Sequence, residues 1–453
     1  MLKTLKNSIL NYFSSGHERS VKAKRNIAAA LLVRGLTVGI GFVLLPLTIN
    51  YVNKSNFGIW LTLSSIITWL NSFDIGLANG LKNKLAERHA QKDDEGSKIY
   101  LSTTYVLITA LSALIFVVFL VINHFLNWQK ILNAGYSTGI SYNDLAVVVI
   151  GIFCIQFIVQ IMNVVLTATH ASAKMAWVSL FGQLASLILI LILPLIAKGS
   201  LLNLILIIAV APLCVQIIAS AWFYTHEYSA IAPGIKFIRL KYAKSLLSTG
   251  GLFFLVQIGG LLLFQTDNIV ITQLFGPADV TIFNVDYKLF SVIGIVFTIA
   301  LTPFWSAFTD AFVKLDYEWI RGVFAKMYKY FLVLTAMTVA LLAGSPLLFK
   351  LWMGNAFSIP MSLSLAMSVY TLEFCWMLIH CFFLNGIGKI RLQVYLYIAS
   401  TLVNIPMAIY LGRIYGIKGV TLSNVIVMFI MGVVLYIQCN KIINKSARGI
   451  WDK

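Results

Sequence analysis

Twelve apolar runs follow one another along the chain, separated only by short polar breaks. No water-soluble core can take that arrangement. A helix needs roughly 20 apolar residues to cross the hydrocarbon layer. The runs fall at approximately 27–51, 57–80, 99–122, 145–169, 175–197, 201–224, 249–275, 280–305, 327–350, 361–385, 392–412 and 419–440. They are continuous rather than alternating, which excludes a closed β-barrel. Of the residues, 59% are hydrophobic and 11% charged, against about 25% charged in an ordinary soluble domain. Lipid must therefore take up the apolar surface. The sequence predicts an all-α polytopic membrane protein of about twelve transmembrane helices, with no loop long enough to fold as a separate soluble domain.

The basic residues sit in every second loop. With the N-terminal side called inside, inner segments hold 26 of the 34 Lys and Arg, outer loops hold 6, and Arg34 and Lys288 lie within spans. This asymmetry predicts both termini in the cytoplasm of a multi-pass protein. It also accounts for the net charge of +18. The charge is topological, and no basic–aromatic pattern points to nucleic acid. The first span is too long for a signal-peptide core and has no evident cleavage site, so it is expected to remain as the first helix. All five cysteines (Cys154, Cys214, Cys375, Cys381, Cys439) fall in or beside spans. Neither a disulfide framework nor a metal site is expected.

The chain divides into a cytoplasmic segment 1–26, a first lobe 27–224, a basic linker 225–248, a second lobe 249–440 and a tail 441–453. Six spans per lobe give parallel repeats, and transporters place substrate sites at the interface of such repeats. Polar residues in the spans keep helical spacing. Gln156, Gln160, Asn163, Thr167 and His170 step by 4, 3, 4 and 3; Asn284, Lys288, Ser291, Thr298 and Thr302 by 4, 3, 7 and 4; Ser64, Thr68 and Asn71 by 4 and 3. Each set occupies one helix face. Arg34, Thr37, Gly41 and Thr48 mark the first span, Gln257, Gly260 and Asp267 the seventh, Tyr370, Glu373 and His380 the tenth. The striped spans are thus 1, 2, 4 and 7, 8, 10, the same positions in each half. Such stripes line a polar cavity or bind helices together by hydrogen bonds.

Ionisable residues at membrane depth are costly and point to function. Arg34 lies about 13 Å beyond Arg25 at 1.5 Å per residue. Lys288 and Asp267 each lie about 12 Å from the outer ends of their spans. A tight Gly276-Pro277 turn joins those spans, so the two side chains are placed to pair, either structurally or until an anionic substrate or a coupling cation arrives. Glu373, near mid-span, is a second candidate for binding Na⁺ or H⁺. His380 reads as a hydrogen-bonded helix residue and Asp286, off the polar stripe, as an interfacial or packing residue. There is no phosphate-cradling Gly loop, metal-ligand spacing or nucleophile elbow. No enzyme activity and no cofactor is expected.

Two stretches, Leu44-Leu45-Pro46-Leu47-Thr48-Ile49-Asn50-Tyr51-Val52 with Asn56-Phe57-Gly58-Ile59-Trp60, and Phe73-Asp74-Ile75-Gly76-Leu77-Ala78-Asn79-Gly80-Leu81, resemble the first two helices of bacterial polysaccharide flippases. Gln265-Thr266-Asp267-Asn268-Ile269-Val270-Ile271 and Phe283-Asn284-Val285-Asp286-Tyr287-Lys288-Leu289-Phe290 are similar to helices seven and eight of that group. In order and spacing the chain resembles the Wzx-like O-antigen flippases of the multidrug/oligosaccharidyl-lipid/polysaccharide (MOP) transporter superfamily. The resemblance implies a MATE-like V of two pseudo-symmetric six-helix lobes in the bacterial inner membrane, working by alternating access. It implies an undecaprenyl-pyrophosphate-linked oligosaccharide as substrate, H⁺ or Na⁺ as a coupling ion, and the polysaccharide polymerase machinery as a partner. Arg34 and Lys288 match cationic cavity residues that would hold pyrophosphate or an acidic sugar. Asn284, Ser291, Thr68, Asn71, Gln156, Gln160, Asn163 and Gln257 are further cavity candidates, and Asp267 and Glu373 are the ion-coupling candidates. A cation-coupled multidrug antiporter of the same superfamily would share the fold. A membrane-embedded glycan transferase or polymerase would need a catalytic cluster in a large loop, and the outer loop 123–144 offers only Asp144 and His124.

Overall fold

The computed structural model describes residues 18–71, 76–135, 141–169, 171–246, 266–355 and 357–452. Regular structure among them is helical: α1 (Glu18–Asn71), α2 (Leu77–Ala90), α3 (Asp94–Asn123), α4 (Trp128–Ile131), α5 (Tyr142–Val159), α6 (Ile161–Ala168), α7 (Ser172–Ile196), α8 (Leu201–Thr225), α9 (Pro277–Val313), α10 (Tyr317–Met353), α11 (Met361–Ile387), α12 (Arg391–Tyr415) and α13 (Ile417–Ile443). A helical stretch 266–275 precedes α9.

Ten of the described helical stretches are long and apolar enough to cross a membrane. The first, Leu32–Ile67, has 36 residues. At 1.5 Å per residue that is about 54 Å, against a hydrocarbon layer of roughly 30 Å. Asn53 (φ 73, ψ 168) breaks it into the first and second expected spans; asparagine tolerates positive φ better than most side chains. The ten stretches thus account for eleven of the twelve apolar runs. The remaining run, 249–275, lies mostly outside the described residues. The expected continuous span 145–169 is interrupted at Gln160, where the Asn163 N–H donates to the Gln160 carbonyl at 2.9 Å. This is one tightened i→i+3 turn between α5 and α6.

The chain forms two compact units. The first comprises residues up to Asn53, Leu70–Trp128 and Tyr136–Phe254. In it α3 packs on α2 and α5, α8 on α5 and α7, and α2 on α6. The α2–α3 turn is tied by Asp93, whose carboxylate caps α3 by accepting from the Gly96 N–H at 2.8 Å and also accepts from Arg88 at 2.9 Å. The Gly96 N–H, then Arg88, holds the Asp93 carboxyl below its ordinary range. A depressed carboxyl stabilises the fold above its unfolded-state pKa, about 3.9, and loses that contribution as pH falls through the lower folded value. Amide exchange at Gly96 and Ser97 should therefore accelerate as pH falls below about 4, after correction for intrinsic exchange. Asp93→Asn should show the faster exchange at every pH and no such dependence.

The second unit comprises Lys54–Trp69, Gln129–Gly135 and residues from Leu255 onward. Its central helix is α11, which packs against α9, α10 and α13 and buries Met367, Cys375, Met377, Ile379 and Phe383. The sequence places Lys54–Trp69 in the first half, but the segment packs within this unit. Thr62 and Thr272 hydroxyls share a hydrogen bond of 2.6 Å, Asn268 Nδ2 donates to Ser65 Oγ at 2.6 Å, and Thr281 Oγ1 donates to the Lys54 carbonyl at 2.7 Å. Gly58 lies so close to the Pro277 carbonyl that a Cβ there would stand 1.7 Å from its oxygen. The helix α9 runs to Val313, beyond the expected end at 305, and is capped by Lys314. There Phe308 is fully buried among Trp319, Phe324 and Phe383.

Candidate functional site

The second unit holds a small polar cavity deep among apolar helices. Its geometry starts from Gly276 (φ 100), a turn conformation that favours glycine, followed by Pro277 at the first position of α9. The chain there reverses on itself, and Asn284 Nδ2 donates to Asn268 Oδ1 at 2.7 Å. That bond sets the depth register of stretch 266–275 against α9. Asp267 then lies level with the region of Asn284, and Lys288 a further turn along, about 6 Å.

Asp267 is 5% exposed. Its Oδ2 accepts from Asn424 Nδ2 at 2.5 Å, and the Asn424 Oδ1 in turn accepts from Asn404 Nδ2 at 2.9 Å. This chain orients three side chains from 266–275, α13 and α12. Asp267 Oδ1, Thr421 Oγ1 and Asn404 Oδ1 are buried with no hydrogen-bond partner among the described residues. Ion pairs among the described residues form at Lys84, Arg88, Lys174, Lys314 and Lys389, and none involves Asp267. Asp267, Asn268, Asn284, Tyr287, Tyr370 and Asn424, with Phe283, Met367 and Thr421, line a cavity of about 90 Å³. Sites that bury sizeable organic ligands measure about 300–1,000 Å³. The cavity has the size for an ion with a few waters, not for a sugar. Its carboxylate, amide and hydroxyl oxygens are the donor set of a hard cation or a proton.

The sequence-derived candidates separate accordingly. Asp267 and Asn284 come together in this cavity. Lys288 is half-buried on α9, and the expected Asp267–Lys288 ion pair is absent among the described residues. Ser291 is half-buried, its hydroxyl donating to the Lys288 carbonyl at 2.9 Å. Glu373 is on α11 outside the cavity lining, with Oε2 buried and unpartnered among the described residues. Arg34 is exposed within the first unit, where Gln156, Gln160 and Asn163 are half-buried around the α5–α6 break. Gln257 and the side chains of Thr68 and Asn71 lie outside the described residues. His380 is buried, with Nε2 3.0 Å from the Tyr328 hydroxyl inside an aromatic cluster with Phe324, Trp376 and Tyr436. Asp286 is fully buried, its Oδ1 accepting from Ser364 Oγ at 2.8 Å and its Oδ2 without a hydrogen-bond partner among the described residues. The sequence reading missed Asn404, Thr421 and Asn424. A lone amide in an otherwise apolar span is a signal in itself, since it needs an interhelical partner, but nothing in the chain order says which.

Residues 23–309 match the family described as polysaccharide biosynthesis protein. A Yersinia pseudotuberculosis protein named for O-antigen export is 22% identical over 373 residues, covering 80% of this chain and 83% of that protein. A Salmonella typhi protein named for O-antigen transport is 20% identical over 319 residues, covering 67% and 70%. An inward-facing structure of a multidrug resistance MATE family transporter of the MOP superfamily has a TM-score of 0.75 at 14% identity, covering 94% of this chain and 98% of that one. With well over half of its length inside the family match, the chain belongs to the polysaccharide biosynthesis protein family and has the fold of a MOP-superfamily transporter.

Proposed function

We propose that the protein is a lipid-linked oligosaccharide flippase of a bacterial cytoplasmic membrane, a transporter and not an enzyme. It moves polysaccharide repeat units carried on undecaprenyl pyrophosphate from the cytoplasmic to the periplasmic leaflet by alternating access, with both termini cytoplasmic. The observation that carries this reading is the match, over most of the chain, to a protein named for O-antigen export. The basic loop asymmetry supports the orientation. Arg34 and Lys288 would hold the pyrophosphate or an acidic sugar. Asp267 would bind the coupling cation, H⁺ or Na⁺, in a cavity of ion size. A buried carboxylate without an ion pair is stable only with a proton or a cation beside it.

A strain lacking the protein tests the reading. The expected result is loss of surface glycan with intact repeat units stranded on the cytoplasmic leaflet. Normal glycan together with raised sensitivity to cationic dyes would instead establish a drug antiporter. Plasmid-borne Arg34→Ala and Lys288→Ala should each insert normally and fail to restore surface glycan. Restoration by both variants would eliminate the cationic-cavity mechanism.

A further inference from the structure

We propose that the segment after α8, residues 229–244, is a membrane-surface anchor of the first unit. It lays Ile235 and Leu240 among lipid chains and holds the phosphates of anionic phospholipids with Lys236, Lys241 and Lys244.

The segment is held in shape. It consists of three short 3₁₀ turns, Ser229–Ile231, Ile235–Phe237 and Leu240–Tyr242. Its backbone docks on α3: the Gly234 N–H donates to Ser102 Oγ and the Arg239 N–H to Thr103 Oγ1, both at 3.0 Å. The Tyr242 ring meets Tyr100 edge-on at 5.0 Å, and Lys98 lies 4.8 Å from the Phe237 ring centre. Phe237, Ile238 and Tyr242 are half-buried by this docking.

What faces away is apolar and basic together. Ile235 is 87% exposed and Leu240 62%, while Lys236, Arg239, Lys241 and Lys244 are all exposed. No acidic residue occurs between 229 and 244. Apolar side chains with lysines between them suit the boundary of an anionic bilayer, where the apolar groups enter lipid and the ammonium groups rise to the phosphates.

The segment also lies close to the inner ends of the neighbouring spans. Ser102 and Thr103, the docking points on α3, lie in the first turn of that helix's apolar run 99–122, about 5 Å from its inner end at 1.5 Å per residue. At the same end, Trp222 lies three residues before the end of α8 and Trp177 five residues into α7, 52% and 43% exposed. The ion pair Lys174–Glu227 and the Thr169–Tyr228 bond (3.0 Å) join these helix ends. Exposed tryptophans near span ends mark the membrane–water boundary. Ile235 and Leu240 therefore stand at headgroup depth beside lipid-facing helices.

The test uses the full chain carrying Cys214→Ser, which removes the exposed thiol, and Leu240→Cys labelled with bimane. It is reconstituted in phosphatidylcholine vesicles, with or without phosphatidylglycerol as one third of the lipid. The expected result is quenching by lipid bearing a nitroxide near the headgroup, increasing with phosphatidylglycerol. Each of K236Q, K241Q and K244Q should weaken the apparent phosphatidylglycerol affinity about fivefold. Quenching by aqueous iodide but not by nitroxide lipid, in both compositions, overturns the proposal. Shielding from both quenchers only in native membranes also overturns it, in favour of a protein partner. Ile235→Cys reports the same face should the Leu240→Cys protein not fold.

Discussion

Asp267→Asn is expected to abolish surface glycan while the protein remains folded and inserted. The substitution is close to isosteric. The new carboxamide oxygen still accepts from Asn424, whose Nδ2 lies 2.5 Å from the native Oδ2, so the Asn404–Asn424 chain keeps its geometry. What disappears is the negative charge, and with it the reason for a cation to enter a cavity of about 90 Å³ among apolar helices. Asn424→Ala tests the same site more gently. It leaves the charge but removes the group that orients it, and loss of such a supporting partner costs about 10–100-fold in ion affinity. In purified protein, Na⁺- or H⁺-dependent thermal stabilisation should be absent for Asp267→Asn and shifted by that factor to higher concentration for Asn424→Ala. Wild-type levels of glycan and unchanged ion dependence in Asp267→Asn would exclude Asp267 as the coupling residue.

The second large effect is steric. Gly58→Ala places a methyl group 1.7 Å from the Pro277 carbonyl oxygen and 2.4 Å from its carbon. Both are backbone atoms, so no side chain can rotate away. The strain must be met by separating Lys54–Trp69 from the start of α9, which stretches the Thr62–Thr272 bond of 2.6 Å and the Thr281–Lys54 bond of 2.7 Å. Overpacking a well-packed contact costs typically 1–3 kcal/mol, occasionally more, and this site belongs at the upper end. Gly39→Ala is the matched control, on the same helical element but with nothing within 4 Å of its new Cβ. Alanine is the better helix former there by roughly 0.5–1 kcal/mol. Thermal unfolding in detergent should show Gly58→Ala well below and Gly39→Ala at or above wild type. Equal stabilities would refute the close approach at Gly58.

The polar stripes located part of the ion-sized cavity. Asp267 and Asn284 stand out in sequence because a carboxylate and an amide interrupt apolar runs at helical spacing, and both reach the cavity. Asn424 did not stand out, although it bonds directly to the carboxylate, because only Thr421, three residues before it, shares its polar face on α13. Asn424 and Asp267 are 157 positions apart. Helical periodicity describes the faces of one helix and says nothing of which neighbour a face meets. The expected Asp267–Lys288 pair failed on the same ground. Equal distances from a turn gave similar depths, but the Asp267 carboxylate is turned to Asn424 on α13, a partner that distance from the turn does not specify.

The sequence determined that this chain is a multi-pass helical membrane protein and roughly where eleven of its twelve apolar runs become helices, apart from the break at Gln160 and the extension of α9 to Val313. It determined these because length and apolar content must match the bilayer whatever the helices do to one another. Tertiary structure alone decided that Lys54–Trp69 packs with the second unit, that Asn404, Asn424 and Asp267 form one hydrogen-bonded chain, and that the cavity around them is too small for a sugar. Those outcomes depend on interhelical register and close backbone approach, which in lipid are set by packing and hydrogen bonding rather than by hydrophobicity.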